Sequence, residues 1–321
     1  MSAASVILWA LVRGKRMVDL SIIIVNWNTR NLLFQCLESV YESAGRLNLE
    51  VIVVDNASTD GSVEMVQEQF PHVRLVENRK NAGFAAANNQ AMRISKGDYI
   101  CLLNSDTVVL GNALEKAVAF MQSHPDVGAL SPRLLNEDGS LQDFPKSYPT
   151  LANELSRMLR IYNCVTWSKR KGLVTSGEYT REVDRVKGAC LLVQRQVVGS
   201  VGGMAEDYFM YAEEDDWCYR IKRQGWKIYY YPEARVVHYG GSSIKQVSHQ
   251  MFLRLHQSKL LFFRRYYSPT SVWLLRVIWW IGYRVRLAFV SLLWMLGGKA
   301  SEAWNRKRKE YRALLHGLAS W

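Results

Sequence analysis

Three apolar runs in this sequence end in side chains that can bind ions or polar ligands. LSIIIVNWN (20–28) ends in Asn26-Trp27-Asn28, LEVIVVDN (49–56) in Asp55-Asn56, and YICLLNSD (99–106) in Asn104-Ser105-Asp106. A hard divalent cation beside a phosphate-bearing ligand needs oxygen donors, ideally a carboxylate. Asp106 offers one, and Asn104 only a neutral carbonyl. Farther on, Glu213-Glu214-Asp215-Asp216 sets acids side by side. Such neighbours repel and raise one another's pKa, which suits a general base. His238, at the end of ARVVH, offers an imidazole as a further ligand. NAGFAAANN (81–89) contributes Gly83, where a backbone can approach a ligand closely, and Asn81 and Asn88 as neutral hydrogen-bonding groups. That stretch is not GxGxxG, so it carries no dinucleotide fingerprint.

The elements that must position these residues follow from the pattern. Continuous apolar, β-branched runs suit strands covered on both faces of a parallel sheet. Between the first two runs, Leu32, Leu33, Cys36, Leu37 and Val40 recur at helical spacing, with Asn28 or Thr29 as the N-cap. After the second, Val63, Val66 and Phe70 mark a helix starting near Ser62, with Ser58 or Thr59 as its cap. Strand, helix, strand, helix implies right-handed βαβ units. In open α/β sheets, ligands bind beyond the carboxyl ends of the strands. The polar residues at the ends of the three runs would therefore lie on the rim a ligand meets. Residues 183–198 (VDRVKGACLLVQRQVV) read as another buried strand leaving a glycine turn. The acidic run opens a helix that Gly225 stops, with Trp217, Cys218 and Ile221 on its apolar face. KIYYYP and ARVVH read as two further strands.

Charge divides the chain. Of the net +12, the segment from Met251 to Trp321 carries +11, with 13 Lys and Arg against Glu302 and Glu310. The same segment holds Trp273, Trp279, Trp280, Trp294, Trp304 and Trp321. Basic and tryptophan-rich sequence fits a membrane interface better than nucleic acid. Arg276, Arg284 and Arg286 interrupt its apolar stretch, leaving Leu287 to Gly298 as the longest uncharged run, shorter than the ~20 residues of a bilayer span. Interfacial helices with snorkelling arginines are expected. The five cysteines show no CxxC pair, which indicates neither a zinc site nor a disulfide framework. Reduced thiols in a cytosolic protein are the simple expectation. Residues 1–17 have an apolar run before their basic residues, the reverse of a signal peptide, and read as a loose extension.

The motifs together resemble glycosyltransferase family 2, most closely its rhamnosyltransferase-like bacterial members. SIIIVNWNTRNLLFQCLESV, EVIVVDNASTDGSVE, ENRKNAGFAAANNQAM, GDYICLLNSDT, VKGACLLVQRQ and FMYAEEDDWCYRIKRQGWKIYYYPEARVVHYGGSS occur in that family's order across residues 18–245. The resemblance implies an α/β fold of the GT-A type: a Rossmann-like, mostly parallel sheet with flanking helices. It further implies an inverting transfer from a nucleotide-sugar donor, dTDP- or UDP-linked, with Mg2+ or Mn2+. Asn104-Ser105-Asp106 stands where the family has its DxD-type motif, with Asn in the first place. Asp106 and His238 are thereby implied as metal ligands, and Asp55 as the acceptor of hydrogen bonds from a pyrimidine, with Asn26 and Asn28 beside it. Asn81, Gly83, Asn88, Asn104, Ser105 and Gly188 complete the implied nucleotide-sugar set. Glu214 takes the place of the family's base Asp, one methylene longer, and Glu213 and Asp216 compete for that role.

The expected organisation is an extension (1–17), a GT-A catalytic domain (18–245) and a basic, Trp-rich helical segment (246–321). The expected activity moves rhamnose from dTDP-rhamnose to a polyprenyl-linked saccharide at the cytoplasmic face of the membrane, in polysaccharide synthesis. The membrane surface is a partner and nucleic acid is not, while a homo-oligomer is left open. A UDP-hexose donor, or a membrane-bound scaffold with a degenerate site, are the alternatives. A sugar nucleotidyltransferase would need a GxGTR-like loop after the first strand, and VNWNTRN is not one.

Overall fold

The structure is a computed structural model that describes residues 18–142, 147–159, 178–240, 248–295 and 301–321. The expected extension over 1–17 and Cys164 lie outside them. In chain order come β1 (Leu20–Asn26), α1 (Arg30–Glu42), β2 (Leu49–Asp55), α2 (Ser62–Gln69), β3 (Arg74–Glu77) and α3 (Phe84–Ile94). Next are β4 (Tyr99–Asn104), β5 (Thr107–Leu110), α4 (Ala113–Ser123), β6 (Val127–Leu135), α5 (Leu151–Met158), β7 (Arg181–Glu182) and β8 (Cys190–Gln194). The chain continues with α6 (Arg195–Val201), α7 (Glu213–Arg223), β9 (Lys227–His238), α8 (Ser248–Tyr266), α9 (Pro269–Met295) and α10 (Ser301–Ser320).

Two compact units result. The first comprises the described parts of Met1–Lys146, Tyr179–Asp207 and Glu214–Ser243. It contains a nine-stranded sheet in the order β3-β2-β1-β4-β8-β6-β9-β5, with β7 on β9. The β3-β2-β1-β4 half is parallel throughout, as its apolar runs require. β8 then joins β4 antiparallel, and β6 runs parallel to β9. Ile22 and Ile24 of β1 pack with Val51 and Val53, Cys101 and Leu103, and with Leu33 and Leu37 of α1, all at most 4% exposed. Ile23, Ile52, Val54, Ile100 and Leu102 are equally buried on the neighbouring pleats. Burial on both faces is why these strands read as unbroken apolar runs.

Several local expectations are corrected. KIYYYP and ARVVH form one strand, β9. Its pairing with β6 jumps from Pro132↔Tyr231 to Arg133↔Arg235, so Pro232, which cannot donate to a ladder, falls in a bulge instead of ending the strand. Only Cys190–Gln194 of the 183–198 stretch is extended, and α6 follows at once. Thr29 occupies the cap position of α1 but its hydroxyl turns away from the helix. Gly61 (φ +81°) is the cap position of α2, where Asp60 Oδ1 accepts from Ser62 N at 3.2 Å, in place of Ser58 or Thr59. Cys36, Cys101, Cys190 and Cys218 are free and buried.

The second unit holds α5, α8, α9 and α10, from Ser147–Glu178, Tyr208–Glu213 and Ile244–Trp321. Leu260, Phe263, Leu275, Trp279, Tyr283, Leu314 and Leu318 form its core. Glu154 is buried within it, accepting from Lys259 Nζ at 2.8 Å and Trp279 Nε1 at 3.2 Å. Among the described residues, α9 is the one helix long and apolar enough, at 27 residues, to cross a membrane. Its other face is bare: Trp273, Trp280, Ile281, Val285, Phe289, Leu292 and Met295 are exposed.

Gly97, entering β4, tests the packing of the parallel half. A Cβ there would lie 2.5 Å from Ser21 N and 2.8 Å from Leu20 C, main-chain atoms of β1 that cannot yield. Gly97→Ala is expected to lower the stability of the sheet unit by roughly 1–3 kcal/mol, measured by urea unfolding.

Candidate active site

The C-terminal ends of β1, β2 and β4 converge, and their polar residues bind one another. Asn26 Nδ2 donates to Asp55 Oδ2 (2.9 Å) and Ser58 Oγ (3.1 Å). Asp55 Oδ1 accepts from Ser58 N at 2.8 Å. Thr29 Oγ1 donates to Asn26 Oδ1 at 2.6 Å and stands 2.8 Å from Ser105 Oγ, which ties the β1 end to the β4 end. Asn28 adopts φ +51°, a left-handed conformation asparagine tolerates, and its Oδ1 accepts from Thr59 N at 2.7 Å. Ala57, at φ +64°, has no such excuse of side chain and marks strain in the same loop. Asp55 is buried, and both its oxygens are engaged; an ionised carboxylate keeps further lone-pair sites for a ligand donor.

Sheet register brings the second group together. β5 runs antiparallel to β9 with Thr107 opposite His238, and Tyr239 N donates to Asp106 O at 3.0 Å. His238 Nε2 thereby lies 3.2 Å from Asp106 Oδ1 and 3.3 Å from Asn104 Nδ2. Both Asp106 and His238 are buried. Among the described residues there is no cluster of three or more His, Cys, Asp or Glu able to hold a metal alone. A magnesium-like ion needs fewer protein ligands when a substrate phosphate supplies the rest, and neighbouring ligands in its octahedral shell, with bonds of ~2.1 Å, lie about 3 Å apart. The Asp106–His238 pair matches that spacing, so the donor set fits a divalent cation shared with a diphosphate.

The acidic run separates into distinct environments. Asp216 is wholly buried and takes Arg220 Nε at 2.7 Å. The same guanidinium donates to the main-chain oxygens of Val201 and Gly203. Asp215 pairs with Arg185. Glu214 is half-buried, and its Oε2 is covered without a hydrogen-bond partner among the described residues. Burial, and then the Asp215 carboxylate beside it, push the Glu214 carboxyl up to about 7, against the pull of Arg185 and Lys187. A Cβ on Gly188 would come 3.6 Å from Glu214 Cβ and 3.7 Å from Phe84 Cε1, so Gly188 lines the space over Glu214. Glu213 is buried and belongs to the helical unit.

Asn81 and Asn88 each spend one side-chain atom on a local bond. Asn88 Nδ2 donates back to Phe84 O at 2.9 Å within α3, and Asn81 Oδ1 accepts from Gly83 N at 2.9 Å within its own loop. Asn56 ties this loop to the sheet: its Oδ1 accepts from Asn78 Nδ2 (2.9 Å) and Ala82 N (3.4 Å), pinning residues 78–83 to the β2 end. Asn56 was visible as the polar residue following Asp55; Gln142, which contacts His238, had no sequence signal at all.

Comparison with known proteins identifies the family and the fold. Residues 21–198 match the family described as Glycosyl transferase family 2. An N-acetylglucosaminyl-diphospho-decaprenol L-rhamnosyltransferase from Mycobacterium tuberculosis is 29% identical over 229 residues, spanning 67% of this chain and 74% of that protein. The low-salt glycan biosynthesis hexosyltransferase Agl10 of Haloferax volcanii is 25% identical over 214 residues, 65% of this chain and 64% of that protein. The solved structure of the mannosyltransferase PcManGT from Pyrobaculum calidifontis, in complex with GDP-Man and Mn2+, shares the fold with a TM-score of 0.55. That match covers 98% of this chain and 91% of that one at 20% identity.

The raised Glu214 carboxyl has a consequence for stability. Between its ordinary value near 4.5 and about 7, the folded state binds more protons than the unfolded one, so the group's contribution falls as pH rises through that window. Wild type should therefore lose stability relative to Glu214→Gln between pH 4.5 and 7, by on the order of 3 kcal/mol, with no further change above. Denaturant unfolding of both proteins across pH 4 to 8 measures the difference.

Proposed function

The chain belongs to glycosyl transferase family 2, and from that premise we propose an inverting, divalent-metal-dependent transfer of rhamnose from dTDP-rhamnose to a polyprenyl-linked saccharide. One observation carries the reading. Glu214, with its raised carboxyl, overlooks Gly188, and the adjoining Lys187 reaches through Gln142 to the His238–Asp106 pair. Glu214, on α7, is thereby linked through Lys187 and Gln142 to the two residues read as cation ligands. The rhamnose and the lipid-linked acceptor are supported by the activity for which the mycobacterial relative is named.

In this reading Glu214 takes the proton of the acceptor hydroxyl as its oxygen attacks the anomeric carbon. The new glycosidic C–O bond forms on one face while the bond to the diphosphate oxygen breaks on the other, inverting the centre. Asp106 and His238 would hold Mg2+ or Mn2+, which supplies charge to stabilise the departing diphosphate. Asp55, Asn26 and Asn28 shape the pocket for the nucleotide base. Asp215 and Asp216, neutralised by Arg185 and Arg220, fix the helix that carries Glu214.

The helical unit supports a peripheral place at the cytoplasmic face of the membrane. The bare face of α9 is apolar, and arginines lie over its tryptophans: Arg284 is 4.2 Å from the centroid of a Trp280 ring and Arg308 is 4.0 Å from that of a Trp294 ring. Basic side chains beside aromatic rings suit an anionic headgroup layer.

Transfer assays with dTDP-rhamnose, UDP-galactose, UDP-GlcNAc and GDP-mannose, each with Mn2+, Mg2+ or chelator, test the donor and the metal. The expected result is metal-dependent transfer from dTDP-rhamnose, lowered on the order of 10²–10³-fold by Asp106→Ala with the fold intact. Transfer from a UDP-hexose alone would replace the donor, and no transfer from any would favour a scaffold. Val285→Glu with Phe289→Glu is expected to reduce binding to phosphatidylglycerol-containing vesicles several-fold in flotation, without changing the melting temperature.

A further inference from the structure

Gln142 lies outside every motif on which the family resemblance rests, yet it makes the closest contact to His238. The chain delivers it by a short return. After β6 the residues 136–140 turn, with Asn136 N donating to Ser140 O and Gly139 at φ +78°. Leu141 bridges back to Leu135, and Gln142 N donates to Leu134 O at 2.9 Å. Because β6 lies beside β9, with Leu135 opposite Val237, that return places Gln142 against His238.

The side-chain amide has its orientation fixed from two sides. Gln142 Nε2 donates to the main-chain oxygen of His238, a group that only accepts. Gln142 Oε1 accepts from Lys187 Nζ at 3.2 Å, a group that only donates. The same Oε1 is 2.6 Å from His238 Nδ1, so Nδ1 must carry the proton. With Nδ1 protonated, Nε2 is the atom turned toward Asp106, 3.2 Å from its Oδ1, with Asn104 Nδ2 3.3 Å away. Nε2 and Asp106 Oδ1 so placed can be bridged by one positive charge, a proton or a divalent cation.

We propose that Gln142, clamped by Lys187, is a positioning residue that holds His238 as the Nδ1–H tautomer and aims Nε2, with Asp106, at a divalent cation. This rests on the reading of Asp106 and His238 as the cation pair. An outer hydrogen bond of this kind fixes a ligating imidazole, and its loss costs about 10–100-fold in metal affinity or activity. Lys187 also lies near Glu214, whose carboxyl it draws down. The clamp therefore joins the leaving-group end of the site to the base.

The test compares wild type, Gln142→Met, Gln142→Glu and His238→Ala as full-length proteins. The His238 ring tautomer is read by 15N NMR, and Mn2+ affinity by electron paramagnetic resonance in the presence of dTDP. Gln142→Met is expected to lose the single Nδ1–H tautomer and to bind Mn2+ about 10–100-fold more weakly. Gln142→Glu keeps an acceptor for Nδ1–H but loses the donor to His238 O, so it is expected to keep the tautomer and to recover only part of the affinity lost in Gln142→Met. A Gln142→Met protein with wild-type tautomer and wild-type Mn2+ affinity overturns the proposal. If His238→Ala binds Mn2+ like wild type, the cation pair itself is wrong; if it does not, a failure of Gln142→Met counts against Gln142 alone.

Discussion

The antiparallel register between β5 and β9 is the constraint on which the site depends. Thr107 opposite His238 is what sets an imidazole against the carboxylate that follows β4. A slip of one residue would turn His238 to the other face of the sheet and leave Asp106 buried with no such neighbour. The register is held by main-chain bonds such as Tyr239 N to Asp106 O, and by the bulge around Pro232, which takes up the length mismatch between β9 and β6. Burial of polar groups is costly unless they are paired. At this rim the pairing partners come from strand ends and turns far apart in the chain, so satisfying them also assembles the site: Asn26 with Asp55, Thr29 with Ser105, and His238 with Gln142.

The acidic run shows how one sequence pattern yields separate roles. Asp215 and Asp216 have guanidinium partners, and Asp216 is tied with Arg220 to the loop at Val201 and Gly203. Glu214 has a covered oxygen, a carboxylate neighbour and, among the described residues, no such ion pair; burial and then Asp215 push its carboxyl up to about 7. A side chain poised near neutrality exchanges protons with an alcohol's oxygen far more readily than a fully stabilised carboxylate does. Lys187 and Arg185 keep the value from rising further.

Much of this was legible in the sequence, and for a physical reason. Strands covered on both faces announce themselves as apolar runs, and a run that ends in Asn, Ser or Asp marks a rim. That reasoning placed Asn26, Asp55 and Asp106 at or just past strand ends and found the parallel half of the sheet. Local chemistry misled where a residue had a distant partner to prefer. Thr29 looked like a helix cap, but its hydroxyl bonds across to Asn26 and Ser105. Gln142 and Lys187 were illegible as a pair because their meeting depends on the fold of a turn and on strands far apart in the chain. KIYYYP and ARVVH read as two strands in the sequence, whereas the ladder runs on past Pro232 as one.

The central claim is that Glu214 deprotonates the acceptor hydroxyl on the same rim that holds the diphosphate. The most direct measurement is the pH dependence of kcat/KM for transfer by wild type and by Glu214→Asp and Glu214→Gln, at saturating metal. The account predicts that wild-type kcat/KM rises tenfold per unit to about pH 7 and then levels. Glu214→Asp should keep a limb at a shifted position, and Glu214→Gln should be nearly inactive while still binding dTDP. A Glu214→Gln enzyme with near-wild-type kcat/KM and an unchanged profile would contradict it.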